Sequence, residues 1–317
     1  MLVYILFIIG FVFLIKGADL LIHGSSVIAK RLNVSELVIG LTVVAFGTSA
    51  PEFFINVIAA WNQQADIALG NVIGSNIANI LLVLGVAALI FPLAVQKGVV
   101  WREIPFNLVA ALLIVFMMND IFLGLGINNV ITRSEGLVLV GLFGLFLYHI
   151  FSVKRAKEVK PDTKINMSWL RSVLYILVGL MGLAVGGDWI VKGAITLAQA
   201  FGLSETFVAV TVIALGTSLP ELATSVVAAY RRSVDIAVGN IVGSSIFNIC
   251  LVLGVTAVIS PLSVSDGLNL DAGVLVLASL ILFIFMFIGR KHVLDRKSGA
   301  VFILLYVVYI WMVVVRG

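Results

Sequence analysis

The sequence predicts an all-α integral membrane protein with ten transmembrane helices, arranged as two inverted five-helix repeats. Three observations support this fold class: the composition, ten long apolar runs, and an internal duplication. Of the 317 residues, 62% are hydrophobic and 11% are charged, whereas soluble domains average about 45–50% and about 25%. The composition therefore excludes a soluble globular fold, and the net charge of +4 is too small to indicate a nucleic-acid partner.

Ten apolar runs supply the predicted helices. A membrane-spanning helix needs about 20 apolar residues, and most of the runs reach this length, with the fourth the shortest. The runs cover residues 2–28, 36–60, 67–91, 104–118 and 135–153 in the first half, and 170–198, 205–229, 236–260, 269–289 and 299–315 in the second. A polar stretch separates the halves, which predicts a first repeat at 1–153, a cytoplasmic linker at 154–168 and a second repeat at 169–317.

Positive charge predicts the orientation of these helices. Of the 20 Lys and Arg residues, 16 fall in odd-numbered loops between the runs. Short loops rich in Lys and Arg stay in the cytoplasm. We therefore expect a multi-pass protein of the cell membrane, with both termini outside.

The two halves share a duplicated segment. A shift of 169 positions superimposes residues 35–92 on residues 204–261 with 31 identities in 58 positions. GTSAPE at 47–52 returns as GTSLPE at 216–221, and GNVIGSNIANI at 70–80 returns as GNIVGSSIFNI at 239–249. Because each half has five spans, an odd number, the second copy must enter the membrane from the opposite side. Secondary transporters with inverted repeats bind substrate and ions near the membrane midplane.

The second span of each copy carries a column of oxygen-bearing residues. Ala45, Thr48, Ser49 and Glu52 follow helical spacing and share one face. Pro51 lacks an N–H and frees a backbone carbonyl one turn earlier. An ionisable residue deep in a span is costly and is by default functional. The second copy repeats the column with Ala214, Thr217, Ser218, Pro220 and Glu221.

The third span of each copy adds neutral oxygens at intervals of four residues. Asn71, Ser75 and Asn79 recur as Asn240, Ser244 and Asn248. A set of carboxylate, hydroxyl, amide and carbonyl oxygens suits a hard cation such as Ca²⁺, whereas zinc or copper prefers nitrogen or sulfur. Small polar side chains also join helices inside membranes. A structural role therefore stays open for the two serines, and even more so for the amides at 71 and 240.

Other acidic residues have local alternatives. Asp66 and Asp235 precede the third and eighth spans, where they could cap a helix or attract cations at the two mouths. Asp19 and Asp188 lie near the ends of the first and sixth spans, where an interfacial or charge-pairing role is expected. Serine followed by glutamate opens the second and seventh spans, at 35–36 and 204–205, and predicts N-caps.

These motifs resemble a known family. GTSAPE and GTSLPE, each followed by a GNxxGS segment, are similar to the two alpha-repeats of the sodium/calcium exchanger family, within the cation/calcium antiporter superfamily. With the ten-run pattern the resemblance covers nearly the whole chain, and the short linker matches compact prokaryotic members. It implies an electrogenic Na⁺/Ca²⁺ antiporter in the lipid bilayer that is not an enzyme, needs no cofactor and has no obligate protein partner.

The resemblance also implies the ion ligands and the transport cycle. Glu52 and Glu221 correspond to central, shared ligands. Alternating access would slide the first and sixth spans across the other eight. The remaining implied ligands are the side chains of Thr48, Ser49, Ser75, Asn79, Thr217, Ser218, Ser244 and Asn248 and the main-chain carbonyls of Ala45 and Ala214.

The alternatives to sodium/calcium exchange are proton/calcium exchange and, more remotely, intramembrane proteolysis. Some relatives, including those that co-transport potassium, carry an acid where this chain has Asn79 or Asn248, which argues against potassium coupling. Proton/calcium exchangers usually show GNxxE in the second and seventh spans, so GTSxPE favours sodium. Proton coupling stays the alternative because buried carboxyls can take up protons. An intramembrane aspartyl protease using Asp19 and Asp188 is disfavoured, since it leaves the duplicated residues without a role and the sequence lacks HExxH and GxSxG motifs.

Overall fold

A computed structural model describes residues 2–120, 129–153, 167–200, 214–265 and 267–316. The regular secondary structure of these residues is helical apart from four two-residue strands. The first half contains helices α1 (Leu2–Arg31), α2 (Glu36–Thr48), α3 (Ala50–Trp61), α4 (Ala65–Ile90), α5 (Val99–Met117) and α6 (Arg133–Val153). The second half contains α7 (Trp169–Ala200), α8 (Ala214–Thr217), α9 (Leu219–Tyr230), α10 (Val234–Ile259), α11 (Leu268–Phe285) and α12 (Arg296–Arg316).

The structure confirms an all-helical membrane protein. Within the described ranges, eight helices are long and apolar enough to cross a membrane, and the bent pair α2–α3 makes a ninth. The predicted seventh span is described from residue 214 onward, as α8 and α9, while the predicted N-cap at 204–205 lies outside the described residues. The predicted cap at Ser35 is confirmed, because its side chain accepts a hydrogen bond from the Val38 N–H.

The second span is broken at Ser49. Helix α2 ends at Thr48, Ser49 has ψ of 7°, and α3 begins at Ala50 with a 47° change of direction. The backbone irregularity expected from Pro51 is present, and the break lies two residues before the proline. Pro51 lies in the first turn of α3, where a proline needs no N–H partner. Ser218 makes the same break between α8 and α9, with ψ of 2°.

Helices α4 and α10 form the centre of the molecule, since most of each is buried, whereas α6 and α12 are largely exposed. The exposed faces of α6 and α12 carry large apolar and aromatic side chains, including Leu145, Tyr148, Leu304 and Trp311, and such faces suit a lipid environment. The central helices therefore hold the positions that the bilayer does not reach.

Two short sheets join the two halves of the chain. Strand β1 (Leu93–Ala94) pairs antiparallel with β4 (Val293–Leu294), and β2 (Val130–Ile131) pairs antiparallel with β3 (Leu262–Ser263). Strands β1 and β3 occupy positions that differ by the 169-residue shift. Each copy thus contributes one strand to each sheet.

Asp295 follows β4 and accepts hydrogen bonds from the backbone N–H and the hydroxyl of Ser298. These bonds hold the pKa of the Asp295 carboxyl below its usual value.

Helices α1 and α7 pack backbone to backbone along a glycine seam. A Cβ added to Gly17 would lie 2.7 Å from the Gly179 carbonyl oxygen, and one added to Gly10 would lie 2.9 Å from the Gly186 carbonyl oxygen. A Cβ on Gly24 would lie 2.7 Å from the Ser172 oxygen. Seven-residue spacing keeps these glycines on one face, and small residues let membrane helices approach closely.

Glycines four residues apart let membrane helices approach closely, and such GxxxG pairs occur at 70–74 and 239–243. Gly239 and Gly243 pack against the Gly40 and Leu41 backbone of α2, which confirms close approach for the second copy. Around Gly70 and Gly74, no described atom lies within 4 Å of an added Cβ. The segment equivalent to the Gly40 region is 205–213, which lies outside the described residues.

Candidate cation-binding site

The predicted site residues meet where each broken helix packs against a central helix of the other copy. Helix α10 packs against the end of α2, and α9 packs against α4. Most of the predicted side chains are buried at this crossing: Thr48, Ser49, Glu52, Ser75, Asn79, Ser218, Glu221, Ser244 and Asn248. Thr217 ends α8 and is half-buried, and Ala214 is the first residue of α8.

Hydrogen bonds across the crossing link the first copy to the second. The Ser49 hydroxyl donates to Glu221 Oε1 at 2.8 Å. The Asn248 amide donates to Ser75 Oγ at 3.4 Å. Both bonds join side chains about 170 positions apart, so the site exists only when the two copies pack together.

The main-chain carbonyl of Ala45 faces the same cluster. Its oxygen lies 3.3 Å from the hydroxyl oxygens of both Thr48 and Ser244, which can donate to it. Thr48 Oγ1 also donates to Asn240 Oδ1 at 3.0 Å and lies 3.3 Å from Ser244 Oγ. The carbonyl that the family resemblance implies as a ligand therefore points toward the predicted side chains.

Several buried oxygens in the cluster have no hydrogen-bond partner among the described residues. They are both carboxylate oxygens of Glu52, Oε2 of Glu221, the Ser218 hydroxyl, and Oδ1 of Asn79 and Asn248. Buried polar atoms in proteins nearly always have partners, and an unpaired buried carboxylate is strongly unfavourable. Cation binding would supply the partners that these oxygens lack, which makes this crossing a candidate cation site.

The donor set limits which cations fit. The described residues contain no group of three or more His, Cys, Asp and Glu side chains that could hold a metal, so the two glutamates must be supplemented by neutral oxygens. Carboxylate, hydroxyl, amide and carbonyl oxygens are the ligands of hard cations. The arrangement suits Ca²⁺ or Na⁺ and does not suit zinc or copper.

Asn56 and Ser225, which were not singled out from the sequence, extend the polar layer of Asn71 and Asn240 beside the site. The Asn71 amide donates to Asn56 Oδ1 at 2.6 Å, and Asn56 donates to the Ala68 carbonyl at 3.0 Å. In the second copy the Asn240 amide donates to Ser225 Oγ at 3.0 Å. Asn56 and Ser225 follow Glu52 and Glu221 by four residues. This shared spacing is the sequence pattern that could have identified them as neighbours of the site.

The aspartates at the helix starts do not cap them. The N-cap positions of α4 and α10 are Gln64 and Ser233. Asp66 is exposed and lines a cavity of about 610 Å³ beside β3. Asp235 accepts a hydrogen bond from the Gln96 amide at 2.7 Å. The cation-attracting role of the two aspartates stays a prediction.

The remaining aspartates form the expected charge pairs. Asp19 of α1 pairs with Arg231, which directly follows α9. Asp188 of α7 pairs with Lys192 on the same helix at 2.8 Å. An aspartyl protease would need Asp19 and Asp188 to act together on one substrate. Each of them is instead paired with a different basic side chain.

Comparison with known proteins identifies the family. The model of the family "Sodium/calcium exchanger protein" matches residues 2–152 and 171–315. The chain belongs to the sodium/calcium exchanger family. The Putative antiporter CaxA of Alkalimonas amylolytica is 38% identical over 98% of both chains. The Sodium/calcium exchanger MaX1 of Methanosarcina acetivorans is 31% identical over 97% of both chains.

A solved structure of a family member superimposes on nearly the whole chain. The sodium-calcium exchanger NCX_Mj, soaked with 2.5 mM Na⁺ and 0.1 mM Ca²⁺, matches with a TM-score of 0.83 and 33% identity, and covers 98% of each chain. The sodium/calcium exchanger family consists of multi-pass membrane transporters that carry Ca²⁺ and Na⁺ as substrates. Family membership and this match support antiport of Ca²⁺ against another cation.

Proposed function

We propose that the chain exchanges Na⁺ for Ca²⁺ across the membrane by alternating access. The observation that carries the proposal is the set of buried, unpartnered oxygens around Glu52 and Glu221, among the described residues at the crossing of the two copies. Oxygen ligands with two carboxylates suit both ions. The relatives NCX_Mj and MaX1, which bear the name sodium/calcium exchanger, favour sodium as the coupling ion.

The proposed architecture is ten spans in two inverted repeats, with domains at 1–153 and 169–317 and a cytoplasmic linker at 154–168. The cross-paired strands support it, because a two-fold axis in the membrane plane would exchange the β1–β4 and β2–β3 sheets. The distribution of Lys and Arg supports outward-facing termini in the cell membrane.

The proposed ligands are the twelve residues that the sequence resemblance implies. Glu52 and Glu221 serve every ion, because they supply the only negative charges in the set. Asn79 and Asn248 are neutral, so the site has a formal charge of −2 when both glutamates are ionised. Other ligands are the side chains of Thr48, Ser49, Ser75, Thr217, Ser218 and Ser244 and the carbonyls of Ala45 and Ala214.

Calcium flux in proteoliposomes tests the coupling ion. The purified protein is reconstituted, and uptake of radioactive calcium is driven in separate experiments by an outward gradient of sodium, of potassium or of protons. We expect uptake with sodium alone. Uptake driven by protons in the absence of sodium would replace the proposal with proton/calcium exchange, and uptake that requires potassium would contradict the neutral ligands at 79 and 248.

A further inference from the structure

We propose that Asn240 is a positioning residue that turns the Thr48 hydroxyl so that its lone pairs face the cation. The sequence did not decide whether Asn240 is an ion ligand or a structural residue. Its contacts indicate a third role, in which it orients a neighbouring ligand. The inference rests on the proposed cation site but not on the identity of the coupling ion.

The orientation of the Asn240 amide is fixed by a main-chain carbonyl. Asn240 is completely buried in α10. Its Nδ2 lies 3.4 Å from the Glu221 carbonyl oxygen and 3.0 Å from Ser225 Oγ. A carbonyl oxygen can only accept hydrogen bonds, so the amide nitrogen must face it. The amide oxygen Oδ1 must therefore point away, toward Thr48.

This orientation determines what Thr48 does with its proton. A hydroxyl has one proton and two acceptor lone pairs. Asn240 Oδ1 accepts from Thr48 Oγ1 at 3.0 Å, which is shorter than the 3.3 Å separations to the Ala45 carbonyl and to Ser244 Oγ. The Glu221 carboxylate is also within hydrogen-bond reach of this hydroxyl, but a bound cation would engage the carboxylate and leave Asn240 as the acceptor. With the proton directed to Asn240, the Thr48 lone pairs are available to a cation, which binds lone pairs and is repelled by a proton.

The same contacts favour a supporting role for Asn240 over direct binding of the ion. Its oxygen is engaged by Thr48, and its nitrogen carries only donors and faces α9. Asn71, at the equivalent position of the first copy, makes the equivalent donation to Asn56 Oδ1. Asn240 therefore acts through Thr48, as part of the shell that supports the ligands.

A double-mutant cycle separates positioning from packing. Binding of radioactive calcium is measured on the purified, detergent-solubilised protein, together with its melting temperature. Asn240→Ala removes the acceptor, Thr48→Val removes the ligand oxygen, and a third variant combines the two changes. We expect Asn240→Ala to raise the calcium half-saturation concentration about threefold to tenfold, the range of one lost hydrogen bond. In the Thr48→Val background, Asn240→Ala should add nothing.

Asn107→Ala provides the matched control. Asn107 is a buried amide that donates to Ser279 Oγ between α5 and α11, so its loss should lower the melting temperature and leave calcium half-saturation unchanged. If the Asn240→Ala protein does not fold, Ser225→Ala is a smaller change that takes its place in the cycle. The same non-additivity with Thr48→Val is expected for Ser225→Ala.

Two results would overturn the inference. Multiplicative effects of Asn240→Ala and Thr48→Val would show that Asn240 acts independently of Thr48. A lower melting temperature with unchanged half-saturation would make Asn240 a packing residue. Loss of sodium coupling in the flux experiment leaves this binding test intact, whereas a wild-type protein that binds no calcium refutes the cation site itself.

Discussion

Glu52 and Glu221 supply both negative charges of the proposed site, although they lie on different copies. Glu52→Gln or Glu221→Gln keeps the side-chain size and halves that charge. We expect sodium-driven calcium uptake to fall to background, at least about tenfold, because a loss of 1.4 kcal/mol already gives that factor. Glu135→Gln is the control, since Glu135 lies in the first turn of α6 and its carboxylate accepts hydrogen bonds from the Thr132 N–H and hydroxyl. Near-normal uptake in either site variant would remove that glutamate from the ligand set.

Asn248 decides the charge of the site at one position. Its Nδ2 donates to Ser75 and its Oδ1 has no described partner, so Asn248→Asp would add a third negative charge beside the two glutamates. We expect a changed dependence of calcium uptake on sodium or potassium, or a new dependence on pH. Asn107→Asp introduces the same change at a buried amide elsewhere and should leave ion selectivity alone. An unchanged ion profile of Asn248→Asp would indicate that this side chain does not face the ions.

The sequence predicted individual residues of the site better than it predicted their roles. Glu52 and Glu221 could be found because an acid repeated within two apolar runs has few explanations. Spacing and residue type alone did not separate Asn79 from Asn240, and only the family resemblance named Asn79 as a ligand. Their difference depends on neighbours from the other copy: Asn240 meets Thr48, whereas Asn79 has no described partner.

Among the helices, the ends were predicted within a few residues and irregular backbone was expected near Pro51, whereas the position of the break and the π-helical stretches were not predicted. Polar loops separate the apolar runs, so helix ends follow composition. The break at Ser49 and the π-helical stretches Gly40–Val44, Ala78–Val83 and Phe247–Leu253 leave the apolar periodicity almost unchanged. The paired strands of two residues each were also missed, because such short pairings depend on the tertiary fold.

The glycine seam between α1 and α7 gives a prediction for a pair of helices. Gly17→Ala would place a methyl group 2.7 Å from the Gly179 carbonyl oxygen, so the two backbones must separate. We expect a lower melting temperature in detergent, corresponding to about 1–3 kcal/mol for overpacking, together with slower calcium uptake. Gly144→Ala in α6 meets no described atom within 4 Å and should be neutral or slightly stabilising. Equal melting temperatures for the two variants would refute close packing along this seam.

For the whole molecule, the Asp19–Arg231 pair connects α1 to the end of α9. If α1 and α7 slide together past the other helices, this pair must break in each cycle. Exposed ion pairs contribute about 0.2–1 kcal/mol, and both side chains are more than 30% exposed. Asp19→Asn should therefore change the ratio of calcium half-saturation on the two membrane sides about 1.5- to 5-fold.

Asp188→Asn is the control for the sliding prediction, because Asp188 and Lys192 lie on one helix and need not separate when α7 moves. Its ratio of half-saturation concentrations should stay at the wild-type value. Equal changes in both variants would argue that Asp19 acts as a local charge and does not hold one conformation against the other.

The charge of the loaded site predicts how the membrane potential acts on transport. Two ionised glutamates with neutral partners give −2, which one Ca²⁺ cancels and three Na⁺ exceed by one. If three Na⁺ exchange for one Ca²⁺, as the family resemblance implies, one net charge crosses per cycle, which corresponds to about 2.3 kcal/mol per 100 mV. Proteoliposomes loaded with sodium and clamped with potassium and valinomycin should take up calcium faster when the interior is positive, since net positive charge leaves with sodium. The Glu221→Gln variant reports any calcium leak that the potential itself drives. Uptake independent of potential would count against net charge movement in the rate-limiting steps, and a reversal potential that fits two sodium ions per calcium would exclude the three-sodium cycle.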